Sequence, residues 1–510
     1  MRSHFALVAL VLAAACGKGD TADDKATASK VSIKKKPAPQ TPLPPLAADP
    51  GGATGKPAWS AAWGGFGTTV PRAIAVDADG NAYVCGYFEG TIDFGGAAPK
   101  LGKRTASGPT DGYLVKLDGK GALVWVQTFG GTHGDDAKGV AVRGDTVVVV
   151  GNFADTLKLS DWSGKSSDWS HDAIGSDDAF VAAFDRDGNP KWLWTLGGLG
   201  SDGMDTIATA PDGGWVIGGS FSDGFAVEQL GLNVRSKGGT DAMLVKLAAG
   251  GDPEWIKSFG GTGDDTALHV AVDQRGNVYV QGLFHYEADW GGGPLKTAGG
   301  SDADVVLAKY DLNGDHQWSK RFGNTFNDVP GGVAVDPSGH ITMVGSFEQK
   351  GPISFGPGDE HASNGEADVF IAHFTTDGKL EWARTFGAAR EDVGIGVAAD
   401  AAGNTITSGW FQRTVDFGKG PQTSAGEKDV FAIKLDAKGA VVWVQTWGDK
   451  DVDKAYAVAL DPQGDAFVAG VFRWKLALGD LPPLESRRDE KDPLLSRAPK
   501  ANAFVVRLDR

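Results

Sequence analysis

Residues 267–284 read Ala267-Leu268-His269-Val270-Ala271-Val272, then Asp273-Gln274-Arg275-Gly276-Asn277, then Val278-Tyr279-Val280-Gln281-Gly282-Leu283-Phe284. Two runs of alternating apolar character flank five turn-forming residues. That pattern predicts two antiparallel strands joined by a tight hairpin, whose Gly and Asn tolerate the positive φ such turns require. Two more alternating runs follow, Asp304 to Tyr310 and His316 to Phe322, and no helical period interrupts them. The unit therefore holds four short strands.

This unit recurs. Trp59, Trp125, Trp192, Trp255, Trp318, Trp382 and Trp443 stand 61 to 67 residues apart, each followed four residues later by a large apolar residue and then Gly. A Gly-x-Phe signature ends at Phe88, Phe153, Phe221, Phe284, Phe347, Phe411 and Phe472. A third marker opens on Asp111, Asp178, Asp241, Asp304, Asp368, Asp429 or Asn502 and runs through apolar alternation. Three markers in one order, seven times, identify a repeat array, and four antiparallel strands repeated radially make a β-propeller. The chain ends after a third-type strand, Ala503 to Asp509, while the folded region begins with an unpaired Trp strand, Ala58 to Trp63. The expectation is an all-β, seven-bladed β-propeller of four-stranded antiparallel blades over residues 58–510, closed by its N-terminal strand so that no edge is left open. The Trp side chains are expected to wedge between blades.

Composition agrees. Of 510 residues 75 are Gly, 41% are hydrophobic and 22% charged, which excludes collagen and bulk disorder. Two cysteines, Cys16 and Cys85, exclude a disulfide scaffold. A net charge of −16 argues against nucleic acid as a partner.

The segments Gly260-Gly261-Thr262-Gly263-Asp264-Asp265, Val272 to Val280 and Asp302 to Lys309 resemble the seven-bladed bacterial β-propeller repeat family over about 450 residues. That resemblance implies an exported or surface protein and carries no catalytic residue. Leu435-Asp436-Ala437-Lys438-Gly439-Ala440-Val441-Val442-Trp443 is similar to the Trp-docking repeat of quinone-dependent dehydrogenases. Those enzymes use eight blades and commonly an adjacent Cys pair, so the shared motif reads as a common packing role.

Residues 1–15 carry a basic start at Arg2 and an apolar run from Phe5 to Ala15. The run is too short to span a bilayer and reads as a signal peptide. It ends Leu12-Ala13-Ala14-Ala15-Cys16-Gly17, which resembles a bacterial lipobox with Ala13 in place of the usual Leu. Lipidation of Cys16 is expected, and Gly17 after it implies sorting to the outer membrane. Residues 16–57, with Lys34-Lys35-Lys36-Pro37-Ala38-Pro39 and no periodic apolar face, read as a disordered tether.

Candidate chemistry is sparse. The nine His lack any His-x-His or His-Glu-x-x-His spacing, so no zinc motif is legible. The loops entering each blade are acidic: Asp135-Asp136, Asp264-Asp265 and Glu391-Asp392 could contribute to a structural calcium ring, or each Asp could cap its own turn. Blade two inserts Asp161-Trp162 through Trp169-Ser170-His171, and Trp162, Trp169 and His171 would suit sugar or peptide contact. Blade seven inserts Arg473 to Lys500, dense in charge. Together these predict a monomeric, surface-tethered, non-catalytic lipoprotein that binds an envelope protein or glycan. No cofactor is expected beyond calcium. An envelope hydrolase or lyase with a channel carboxylate is the alternative.

Overall fold

The computed structural model describes residues 44–49, 51–65, 67–95, 102–160, 166–348, 351–486 and 500–510. They form seven four-stranded antiparallel sheets arranged as propeller blades. Blade 1 comprises Thr69–Val76, Ala82–Phe88, Asp111–Leu117 and Leu123–Phe129. Blades 2 to 6 begin at Asp136, Asp202, Thr266, Asp328 and Val393. Blade 7 joins the two ends of the chain: Lys454–Leu460, Ala466–Phe472 and Asn502–Leu508 are completed by Pro57–Gly65. In that closure Trp63 lies opposite Ala503 and Ser60 opposite Val506.

Each blade's second and third strands are apolar on both faces because both faces are covered. One apolar cluster fills every blade junction. At the first, Val84 and Val115 pack against Phe467 and Val505 of blade 7, and at the next junctions Val148 meets Ile217 and Val280 meets Val216. The repeat tryptophans fasten the junctions as expected. Trp59 donates its indole N–H to the Gly119 carbonyl of the next blade at 3.1 Å, Trp125 to Arg186 at 3.0 Å, and Trp255 to Leu312 at 3.0 Å. The partner turn needs glycine at one position. Gly121 has φ 83°, and a Cβ there would lie 2.5 Å from the Trp59 ring.

In blade 7 this turn is split between two distant segments, Gly55-Lys56 and Asp509. Asp509 N–H donates to the Lys56 carbonyl at 2.9 Å and Gly55 N–H to the Asp509 carbonyl at 3.1 Å. This is the pattern of Asp118 with Ala122 and Gly121 in blade 1. Gly55, at φ 62°, lies under Trp443 as Gly121 lies under Trp59. Residues 44–56, read from composition as tether, thus include a split turn of the propeller. Ala47 adds a backbone bond to Ala401 at 2.8 Å. Cys16 and the rest of residues 1–43 lie outside the described residues.

A small hairpin, not expected from the repeat pattern, stands between the second and third strands of every blade. Examples are Thr91–Asp93 with Lys103–Thr105, Glu287–Asp289 with Pro294–Lys296, and Thr414–Asp416 with Pro421–Thr423. The blade 2 insertion is one of these, Thr156–Ser160 paired with Ser166–Asp172. Among the described residues no helix is long and apolar enough to cross a membrane.

Candidate functional site

Antiparallel blades sort their connections onto two faces. The turns after the first and third strands share one face. The small hairpins and the inter-blade loops share the other, called the loop face below.

On the loop face two aspartates meet at six of the seven blade junctions. The first stands at the third strand and the second at or just before the start of the next blade: Asp111 with Asp135, Asp178 with Asp202, Asp241 with Asp265, Asp304 with Asp328, Asp368 with Asp392, Asp429 with Asp453. Each accepts backbone N–H groups from its own turn, as Asp135 does from Gly131 at 2.8 Å and Asp392 from Ala388 at 2.8 Å. These bonds satisfy Oδ2. The Oδ1 atoms of Asp178, Asp202, Asp241, Asp265, Asp304, Asp328 and Asp368 are buried with no hydrogen-bond partner. Burial, reinforced by the neighbouring carboxylate, pushes Asp135, Asp202, Asp392 and Asp453 up to about 7, Asp265 to about 6 and Asp328 to about 8. At the blade 7–blade 1 junction Asn502 and Thr69 occupy the same two places, so the repulsion is absent there.

Beside these pairs, the residue entering the hairpin adopts a left-handed backbone in blades 1, 2, 3, 4, 6 and 7. Gly90 does so at φ 60°, and so do Asp155, Asp223, Tyr286, Arg413 and Trp474 at φ 57–64°. Only one of the six is glycine, and for the others this conformation costs about 1–2 kcal/mol each. Tyr286 is 51% exposed. Arg413 lines a cleft of about 480 Å³ with Glu366, Arg390, Glu391 and Lys428. The indole N–H of Trp474 donates to Asp451 at 3.2 Å, and Lys450 lies 4.0 Å above its ring.

The channel is lined by the first strands, and each carries a β-bulge at one shared position. The bulged residues are Arg72, Lys138, Asp205, Leu268, Gly331, Ile395 and Tyr456. A bulge re-aims one side chain out of the pleat. Arg72 donates to Asp136 at 2.9 Å and Lys138 to Asp205 at 2.9 Å, both across blade junctions. His269, in the wall beside them, is pushed down to about 4 by burial. The described cavity is about 200 Å³. On the turn face it opens near a second cavity of about 600 Å³, lined by turns of several blades and by Ala47, Ala48 and Asp49.

The structure separates the residues singled out from the sequence. Asp135, Asp265 and Asp392 are the buried loop-face caps. Asp136 is in the channel ion pair. Asp264 accepts the Thr240 N–H at 2.9 Å, and Glu391 pairs with Lys428. Adjacent residues in extended chain point to opposite sides, so each doublet splits between two environments. His171 is exposed, opposite Leu157 in the blade 2 hairpin, with its ring 6.3 Å from Phe153. Trp169 belongs to that hairpin's second strand. Trp162, and Arg487 to Asp492 of the blade 7 insertion, lie outside the described residues. Cys85 is buried, and burial raises its thiol well above the ordinary range.

Sequence reading missed the channel ring and one further cluster. On the turn face of blade 5, Asp336, His340 and His373 place ligand-type atoms within 4.8 Å of one another.

No family model matches the chain. An uncharacterised WD repeat-containing protein, L264 of Acanthamoeba polyphaga mimivirus, is 22% identical over 502 residues, covering 81% of this chain and 36% of the relative. Regulatory protein FlaEY of Caulobacter vibrioides is 27% identical over 162 residues, 31% of this chain and 17% of that protein. The chain therefore spans little more than a third of the first relative and under a fifth of the second. Among solved structures, the Pan2 WD40 domain of Neurospora crassa is 8% identical, with a TM-score of 0.42 over 86% of this chain and 89% of that one. Of these proteins, the first relative is named for its WD repeats and the solved structure is a WD40 domain.

Proposed function

We propose that this protein is an exported lipoprotein, anchored through Cys16 at the outer membrane, whose propeller binds a protein partner through the loop face without catalysing a reaction. One observation carries the binding reading. At a single position of the loop face, five non-glycine residues hold a left-handed backbone that glycine would adopt without strain. Such strain persists where the side chain is needed, and loops on a rigid scaffold are where binding residues collect. The side chains so held differ from blade to blade (Asp155, Asp223, Tyr286, Arg413, Trp474), which gives the face an asymmetric pattern able to discriminate a partner. The non-catalytic part rests on the channel: its carboxylates, Asp136 and Asp205, are tied to Arg72 and Lys138, whereas general acid–base work needs a group free to exchange its proton. The anchor rests on the Ala-Ala-Ala-Cys ending of the signal segment.

The test is site-specific photocrosslinking on intact cells. A crosslinker at Tyr286 is expected to capture a discrete protein, and one at Asn313, on a turn of the opposite face, to capture none. Capture from Asn313 alone, or from neither, refutes the loop-face reading. Glycan capture would keep the face and change the ligand class. Cys16→Ser is expected to move the protein from the membrane to the soluble fraction. Unchanged membrane association refutes the anchor.

A further inference from the structure

Blade 5 departs from the repeat at two positions that meet in space. The turn after the first strand opens on an Asp in blades 1, 4, 5, 6 and 7, namely Asp77, Asp273, Asp336, Asp400 and Asp461. In blades 1, 4 and 6 an Asn four residues later donates to it: Asn81 to Asp77 at 2.9 Å, Asn277 to Asp273 at 2.6 Å, Asn404 to Asp400 at 2.9 Å. A cation on the third strand adds to this in blade 6, where Lys434 lies 3.2 Å from Asp400. In blade 5 the turn Asp is Asp336. His340 stands at the Asn position, and His373 stands where blades 1, 3, 4 and 6 carry Lys116, Lys246, Lys309 and Lys434.

The two imidazoles are oriented alike. His340 directs Nδ1 to Ser338 Oγ at 2.8 Å, and that hydroxyl donates to Asp336 at 2.8 Å. The serine proton is thereby committed, so His340 Nδ1 carries the hydrogen and its Nε2 keeps a lone pair. His373 directs Nδ1 to Thr342 Oγ1 at 2.8 Å, and its ring is clamped against Trp382 with centroids 4.9 Å apart. Both Nε2 atoms then face a single oxygen, Glu381 Oε2, each at 3.6 Å. That separation is too long for a hydrogen bond. Each of these two Nε2–Oε2 separations matches the distance of about 3.3–3.6 Å between two ligands of one tetrahedral ion with bonds of about 2.0–2.2 Å.

We propose that His340 Nε2, His373 Nε2 and Glu381 Oε2 bind a divalent transition ion of the zinc class. Ser338, Asp336 and Thr342 hold the imidazoles in place through Nδ1, as second partners of metal-bound histidines do. His373 is 2% exposed, while Glu381 and His340 are partly open, so the fourth position faces solvent. Asp336 and Pro337 line the wall of the 600 Å³ cavity at the channel mouth, which puts the ion beside that cavity.

The experiment uses the full chain, stripped with chelator and titrated with Co²⁺, then with Zn²⁺ by calorimetry. His340→Asn and His373→Lys are the variants of choice, because each installs the residue that sister blades already carry, and Glu381→Gln is the third. The expected result is one tight equivalent of Zn²⁺ and visible absorption bands of four-coordinate Co²⁺, with affinity reduced ~100-fold or more in each variant. Circular dichroism and unfolding midpoint of the metal-free variants are expected to match the parent. Absence of a one-equivalent site in the parent at ~100 μM metal, or equal affinity in the three variants, overturns the proposal.

Discussion

The carboxyl groups of Asp304 and Asp328 both crowd the Cα of Gly323. A Cβ there would lie 2.5 Å from Asp304 and 2.8 Å from Asp328 Oδ2. Their Oδ1 atoms are both buried and unpartnered. Two carboxylates so placed cannot both ionise cheaply, even with Arg321 paired to Asp304 at 2.7 Å, and the same crowding recurs at Gly130 between Asp111 and Asp135 and at Gly260 between Asp241 and Asp265.

Stability should therefore fall as pH rises through neutrality. The folded-state values of about 6 to 8 for Asp135, Asp202, Asp265, Asp328, Asp392 and Asp453 lie above the ordinary 3.8. A raised folded value gives stability that is fully present at low pH and is lost as pH passes through the folded value. His269, held near 4, acts in the opposite sense, but only below its ordinary value of 6.5, so the clean comparison is pH 6.5 against 8.5. We expect a loss of a few kcal/mol, roughly 3–5 °C in a domain of this size. Thermal unfolding in two buffers measures it, and a flat or rising midpoint contradicts the assignment.

Asp178→Asn should remove part of that slope. Asn accepts the Ile174 N–H as Asp178 does and offers an N–H₂ to the orphaned Oδ1 of Asp202. Asn502 already serves at the equivalent place in blade 7. The variant should gain about 1 kcal/mol at pH 8.5 and less at pH 6.5, read by urea unfolding. Equal effects at both values would place its action elsewhere.

Ring closure should depend on the chain's first strand. A protein beginning at residue 50 keeps Gly55 and the Pro57–Gly65 strand and should remain monomeric. One beginning at residue 66 leaves Asn502–Leu508 with an open edge and removes Trp63, which is 1% exposed. It should associate or aggregate in size-exclusion chromatography. A stable monomer from the shorter chain would contradict the closure.

The repeat, the blade count and the closing strand were legible because each is written seven times, or conspicuously omitted once. Trp59 and Gly121 show why: a blade junction has one geometry, so it asks for the same residues each time. Residues 44–56 were not legible as structure, since Gly55 reads as linker until Asp509 is known to lie beside it. Asp264-Asp265 could be read from sequence as part of a calcium ring or as turn caps, and alternation along extended chain sends one carboxylate outward and the other inward. His340 and His373 are 33 residues apart, and only the pairing of second with third strand brings them together. The bulged channel residues, Arg72 to Tyr456, carry no shared identity, and a repeat search discards what varies.

The central claim, that the strained loop-face residues are kept for binding, is tested most directly at Tyr286. Tyr286→Gly relieves a left-handed backbone at φ 59° while giving up a side chain that is 51% exposed. Unfolding free energy and pull-down of the partner identified by crosslinking should be measured on the same preparations, with no crosslinker at residue 286. The account predicts stability equal to the parent or higher by up to about 1 kcal/mol, together with clearly weaker capture. Capture at parental strength with unchanged or higher stability would contradict it.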